Sequence, residues 1–103
     1  MYKVTFVKTI TGIVGGEIYL GLDATLPFVP TCHIDYSMMG VYIPSEICVC
    51  VRWVHREGKF NVKIKDDDSV QGLERNGEVV NNLIRQHLGD GWRVISGWKD
   101  KKD

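Results

Sequence analysis

The run from Cys48 to Lys65, CVCVRWVHREGKFNVKIK, limits what this chain can fold into more than any other stretch. Apolar and polar residues alternate on both sides of Glu57-Gly58, and a period of two is the signature of strands whose side chains point to opposite faces in turn. With Glu57-Gly58 as a two-residue hairpin loop, the predicted partners are Arg56 with Lys59, His55 with Phe60, Val54 with Asn61, Trp53 with Val62, Arg52 with Lys63, Val51 with Ile64 and Cys50 with Lys65. That register puts Val49, Val51, Trp53 and His55 on one face with Phe60, Val62 and Ile64. Arg52, Arg56, Lys59, Lys63 and Lys65 fall on the other. A slip of one residue would turn every side chain of one strand to the wrong face, so the segregation itself supports the pairing.

A hairpin with one apolar face needs a cover, and the rest of the chain supplies the parts. Residues 2–11, YKVTFVKTIT, set Tyr2, Val4 and Phe6 against Lys3 and Thr5 and are rich in β-branched types, which suits a strand. Gly12, Gly15 and Gly16 then turn the chain into a second strand, EIYLGL (17–22). No helical pattern or Gly-Lys-Ser/Thr follows these glycines, which favours a tight reversal over a phosphate loop. VYI (41–43) begins a further strand before Pro44. NGEVVNNLIRQHLGDG reads as a helix over 77–88: Asn76 caps it, Glu78 suits its positive end, Val80, Leu83, Ile84 and Leu88 form the apolar stripe, and Gly89 stops it. His87, in the last turn, complements the helix dipole. WRVISGWK (92–99) supplies the final strand. The expected fold is α+β: an antiparallel or mixed sheet of about five strands with the helix packed on the face carrying Val51, Trp53, Val62 and Ile64. At 103 residues the chain holds one domain, 1–99, and DKKD (100–103) is a charged tail.

Between these elements, residues 23–40, DATLPFVPTCHIDYSMMG, follow neither period. Structureless loops beyond about 12–15 residues are uncommon in compact domains and tend to be functional. This one carries Leu26, Phe28, Val29, Met38 and Met39, stiffened by Pro27 and Pro30. These side chains either tuck under the sheet or present an apolar patch to a partner, and adaptable methionines beside a rigid aromatic suit an interface.

Thirteen basic and thirteen acidic residues cancel, so no global field draws the protein to nucleic acid or membrane. Neither a continuous apolar leader nor an eighteen-residue apolar run is present, which points to a soluble, cytoplasmic protein. The three cysteines are too few and too oddly spaced for a disulfide framework and are expected as reduced thiols. Cys48 and Cys50, one residue apart on a strand, should point to the same face. They lack the spacing of a zinc pair, and no second ligand pair accompanies them, so no metal or cofactor is expected.

Two features carry chemistry. Cys32, His33, Asp35 and Tyr36 form the most enzyme-like cluster, because a carboxylate can orient an imidazole beside a thiol nucleophile. The sharper signal is the basic face, where Arg52 stands across from Lys63 and Arg56 across from Lys59 although like charges in such positions cost roughly 0.2–1 kcal/mol per pair. Its bland explanation is neutralisation by Glu46, Asp66, Asp67 and Asp68, with the lysines guarding a sheet edge. The functional explanation is an anionic partner. A single-strand nucleic-acid binder would interleave exposed rings with the cations; here Trp53 and Phe60 fall on the apolar face, so an acidic protein surface comes first and nucleic acid second. The reading is a small non-enzymatic binding or regulatory protein, of a kind phages and mobile elements encode often, that docks on or occludes a larger partner through Arg52, Arg56, Lys59, Lys63 and Lys65 and through Leu26, Phe28, Val29, Met38 and Met39. The alternatives are a small-molecule or nucleotide-binding protein or enzyme built on the Cys32 to Tyr36 loop, and a structural subunit that self-associates.

Overall fold

A computed structural model describes residues 1–11, 17–38, 40–65 and 77–97. Within them the elements run β1 (Tyr2–Thr11), β2 (Glu17–Leu26), β3 (Tyr36–Met38), β4 (Val41–Ile43), β5 (Cys48–Val54), β6 (Lys59–Ile64), α1 (Gly77–Gly89) and β7 (Arg93–Ser96). Five strands form one sheet in the order β5-β6-β1-β2-β7, and β3 and β4 form a separate two-stranded sheet. β1 lies at the centre, antiparallel to β2 and parallel to β6, so the fold is α+β with a mixed sheet. The pairings make β6 and β7 run in the same direction on either side of the β1–β2 pair. Strands related in this way need a long crossover, and α1 lies on that connection.

One face of the sheet is built from every second residue. Val4, Phe6 and Ile10 of β1, Ile18, Leu20 and Leu22 of β2, and Val62 and Ile64 of β6 are buried in a single cluster. Tyr36 and Ile43 join it from the β3–β4 pair, Trp92 joins it from the start of β7, and Val80 and Ile84 join it from α1. Residues four apart share a helical face, which is why Val80 and Ile84 are buried together. Leu83 packs against the cluster, whereas Leu88, at the end of the expected stripe, is exposed. The Asn76 cap and the Glu78 side chain lie outside the described residues.

The hairpin keeps the predicted faces from Val51 to Val54 and along β6 but not the predicted register, and Val49 and Trp53, expected under the helix, are exposed because β5 is an edge strand. Its partners are Val54 with Lys59, Trp53 with Phe60, Arg52 with Asn61, Val51 with Val62 and Cys50 with Lys63, a displacement of two residues. The cause is the turn. His55–Glu57 form a 3₁₀ turn closed by Gly58 in the left-handed region (φ 62°), whose N–H donates to the His55 carbonyl at 3.2 Å. A shift of two preserves the alternation of faces, but His55 and Arg56 leave the strand and are exposed, so His55 does not join the core. A bulge between Cys48 and Cys50 makes a second correction: Cys48 faces Ile64 and Cys50 faces Lys63, so the two thiols do not share a face.

The expected loop over 23–40 is shorter than its composition suggests. β2 continues to Leu26, with Asp23 and Thr25 paired to Thr5 and Lys3, and β3 takes up Tyr36–Met38. The final strand ends at Ser96. Gly97 follows with φ 91°, and a Cβ there would stand 2.3 Å from the Glu17 carbonyl oxygen, so only glycine fits. Met39, Asp66 to Asp68, Trp98, Lys99 and the tail lie outside the described residues.

Candidate functional site

The second face of the sheet is closed by a different mechanism. Thr5 and Thr9 of β1 are 2% and 3% exposed, although a hydroxyl buried without a partner is costly. The Thr5 hydroxyl donates to Asp23 Oδ1 at 2.7 Å and accepts from Lys59 Nζ at 3.0 Å; that of Thr9 accepts from Lys63 Nζ at 2.5 Å. Long lysine stems lie over the strand while their ammonium groups satisfy the hydroxyls. Asp23 also receives Arg93 Nε at 2.6 Å and Nη2 at 3.3 Å. The Arg93 bond chiefly, with help from Thr5, holds the Asp23 carboxyl below its ordinary range against a smaller opposing effect of burial.

This arrangement leaves a gap. Lys63 lies opposite Val7 yet reaches one step further along β1, to Thr9, and Lys59, two residues before Asn61, reaches Thr5. Asn61 lies opposite Thr5, and the same lean carries it to Val7, which has no hydroxyl to offer. Asn61 Oδ1 is buried and has no hydrogen-bond partner among the described residues. Such an atom costs about 1–3 kcal/mol. Beside it, Val7, Cys50, Arg52, Asn61 and Lys63 line a recess of about 290 Å³. None of these described lining residues is acidic. Arg52 is exposed at its rim and makes no ion pair or hydrogen bond with any described residue.

The predicted basic residues therefore divide. Arg52, Lys59 and Lys63 share this open face, and each stands across from a neutral residue: Asn61, Val54 and Cys50 respectively. The like-charge opposition of Arg52 with Lys63 and of Arg56 with Lys59 does not occur. Lys59 also pairs with Glu57 at 3.2 Å. Arg56 lies exposed in the hairpin turn, and Lys65, past the end of β6, is exposed with its backbone N–H donating to the Ile47 carbonyl at 2.8 Å.

The apolar residues of the 23–40 segment lie elsewhere. Leu26 is buried and Met38 packs against the core, while Phe28 and Val29 are 41% and 51% exposed. Phe28 stacks on Tyr36 with ring centres 6.5 Å apart, and Tyr36 meets Phe6 edge-on at 5.0 Å. Phe6 belongs to the core face, so Phe28 is anchored on the side of the sheet opposite Arg52 and Lys63. The structure brings the cations together and the exposed loop residues together, but not the two sets.

The enzyme-like cluster is engaged in holding its own loop. The Asp35 carboxylate accepts the Ser45 N–H at 2.7 Å and the Tyr42 hydroxyl at 3.1 Å, and the Ser45 bond chiefly keeps its pKa below the ordinary value. The Tyr36 hydroxyl donates to the Thr31 carbonyl at 2.7 Å and accepts the Thr31 N–H at 2.9 Å. His33 is exposed, and its N–H donates to the Thr31 hydroxyl at 3.2 Å. Cys32 and Cys48 are free thiols, and burial first, then the influence of the Cys32 thiol, pushes the Cys48 thiol up to about 11. A second cavity, of about 630 Å³, is lined by Val4, Leu22, Met38, Asp23 and Lys59 among others. None of Cys32, His33, Asp35 and Tyr36 lines it, and both of these charged groups are bonded to Thr5.

Among the described residues no group of three or more His, Cys, Asp or Glu side chains converges as a metal site, and no helix is long and apolar enough to cross a membrane. Asn61, Cys50 and Val7 were not legible as site residues, because the two-residue register shift that sets Asn61 across from Arg52 depends on the turn. No known family model, curated protein or solved structure matches this chain.

Proposed function

We propose that this protein is a non-enzymatic binding or regulatory protein that docks on a larger protein partner, with the open face of its sheet against an acidic surface. The observation that carries this reading is Arg52: an exposed cation without a partner among the described residues, beside Lys63, on a chain whose formal net charge is zero. Complementary charge steers encounter and fixes register. Lys59 and Lys63 are already held by Thr5 and Thr9, so part of the ordering entropy of docking is lost before a partner arrives. Phe28 and Val29 sit on the opposite side, so a flat contact over Arg52 leaves them uncovered, and docking is assigned to the basic face alone.

The test is affinity capture with the wild-type chain, followed by binding of the purified captured protein to Arg52→Glu. Arg52→Glu is a cleaner variant than one that also reverses Lys63, because Lys63 supports Thr9. Binding by the wild type should weaken as salt rises, since exposed charges are screened beyond about 10 Å at 0.1 M. Unchanged affinity and salt dependence in Arg52→Glu would refute the reading. One observation favours a self-associating subunit instead: β5 is an edge strand with Val49 and Trp53 exposed. A native mass at twice that of the chain, reverting to one chain on Val49→Lys, would select it.

A further inference from the structure

We infer that the recess between β5, β6 and β1 is an oxyanion-binding site that seats one carboxylate or phosphoryl group on Arg52, Asn61 and Lys63. The inference deepens the docking reading, on which the identity of the group's carrier rests; the site itself stands on the chemistry of its walls.

Three features of the walls converge on this ligand class. The first is charge. Arg52 and Lys63 contribute a planar fork and a point charge from neighbouring strands, and no described lining residue is acidic. Arginine matches carboxylate and phosphoryl oxygens two at a time, and lysine adds a compact cation that tolerates either geometry. Lys63 keeps its bond to Thr9, which fixes where its charge stands.

The second feature is Asn61. Its side chain is part of the recess wall, and a carboxamide carries two N–H donors beside its carbonyl oxygen. An Nδ2 on the recess side gives a bound oxyanion a third donor. A ligand without acceptor oxygens offers Arg52, Lys63 and the amide donor nothing. The apolar wall of Val7 adds a low-dielectric side, which strengthens the attraction of both cations.

The third feature is size. At about 290 Å³ the recess falls just below the roughly 300–1,000 Å³ of pockets that enclose drug-sized ligands. It holds a single charged group with its nearest waters, while the rest of a carrier would lie across the exposed sheet surface.

Cys50 supplies the reporter, because it lines the same recess and is exposed. The rate at which iodoacetamide alkylates Cys50 is followed by peptide mass mapping on the full chain, with inorganic phosphate and, separately, a hexaglutamate peptide as probes, and with chloride holding ionic strength constant. A probe at roughly ten times its Kd should slow Cys50 about tenfold, because slowing follows one plus the ratio of ligand to Kd. Arg52→Gln and Asn61→Asp should each remove the protection, and Arg52→Gln should leave the urea midpoint of the chain in place. Protection by both probes, or by either alone, supports the site, and the one that protects names the source as carboxylate or phosphoryl. No protection by either probe, or protection unchanged in Arg52→Gln, overturns it. The docking reading fails separately: if phosphate protects Cys50 but Arg52→Glu binds the captured partner normally, the site stands and the docking surface lies elsewhere.

Discussion

On one side of β1, Val4, Phe6 and Ile10 are buried in a cluster completed by Val80 and Ile84 of α1 and by Tyr36 and Ile43 of the β3–β4 pair. On the other side, Thr5 and Thr9 are just as inaccessible, yet their cover is Lys59 and Lys63 of the neighbouring strand. The first face is closed by apolar surface brought from distant parts of the chain, a non-directional force that tolerates no gap. The second is closed by hydrogen bonds that must each find a hydroxyl. Where β1 offers Val7 in place of a threonine, the closure stops at Asn61, and the recess results. An apolar face closes wherever surfaces meet; a polar one closes only where each donor finds an acceptor.

The comparison can be broken first at the core. Phe6→Ala should cost about 3–5 kcal/mol, read from the urea transition, because Phe6 is fully buried and its removal opens a cavity under Tyr36. Thr5→Val keeps the shape of the second face but leaves Asp23 and Lys59 without their shared hydroxyl, and should cost about 1–3 kcal/mol by the same measurement. A cost for Thr5→Val equal to that of Phe6→Ala would mean that the two faces are not held by different means.

A chemical comparison follows within the thiols. With its pKa near 11, Cys48 should alkylate about tenfold or more slowly than a free model thiol at pH 8, and its rate should keep rising through pH 10. A plateau below pH 9 would place Cys48 in a wetter environment than its contacts imply.

Acid sharpens the contrast further. Asp23 is held below its ordinary pKa of 3.8, chiefly by Arg93, so its contribution to stability is present above that value and is lost as pH falls through the folded-state pKa. The stability difference between the wild type and Arg93→Ala should therefore exist at neutral pH and vanish toward pH 2. The magnitude is small, because both side chains are half exposed and solvent screens them. The smallest expected effect is that of Arg52→Gln, below about 0.5 kcal/mol, since Arg52 makes no hydrogen bond or ion pair with any described residue.

Alternation carried the sheet in the sequence. The period of two in YKVTFVKTIT and on both sides of Gly58 identified β1, β5 and β6, and the helical stripe placed α1 with its buried Val80 and Ile84. The register of the hairpin was not legible, because a 3₁₀ turn over His55–Glu57 and a two-residue loop suit the same residues and preserve the same faces. Neither was the bulge at Cys48 to Cys50, which depends on how β5 meets Ile64 and Lys63. The open face was hidden for a deeper reason. Thr5 reads as an outward-facing polar residue until the parallel pairing of β1 with β6, more than fifty residues apart in sequence, supplies the lysines that cover it and Thr9. The loop misled through composition: its apolar residues divide between strand, core and surface.

The claim that the two faces divide structure from binding is tested most directly by measuring the affinity of the captured partner for Arg52→Glu and Phe28→Ala side by side. Binding through the open face predicts that Arg52→Glu weakens affinity by about 2 kcal/mol or more, roughly thirtyfold, while Phe28→Ala stays within about threefold of wild type. Affinity lost in Phe28→Ala and retained in Arg52→Glu would contradict it and move the docking surface to the opposite side of the sheet.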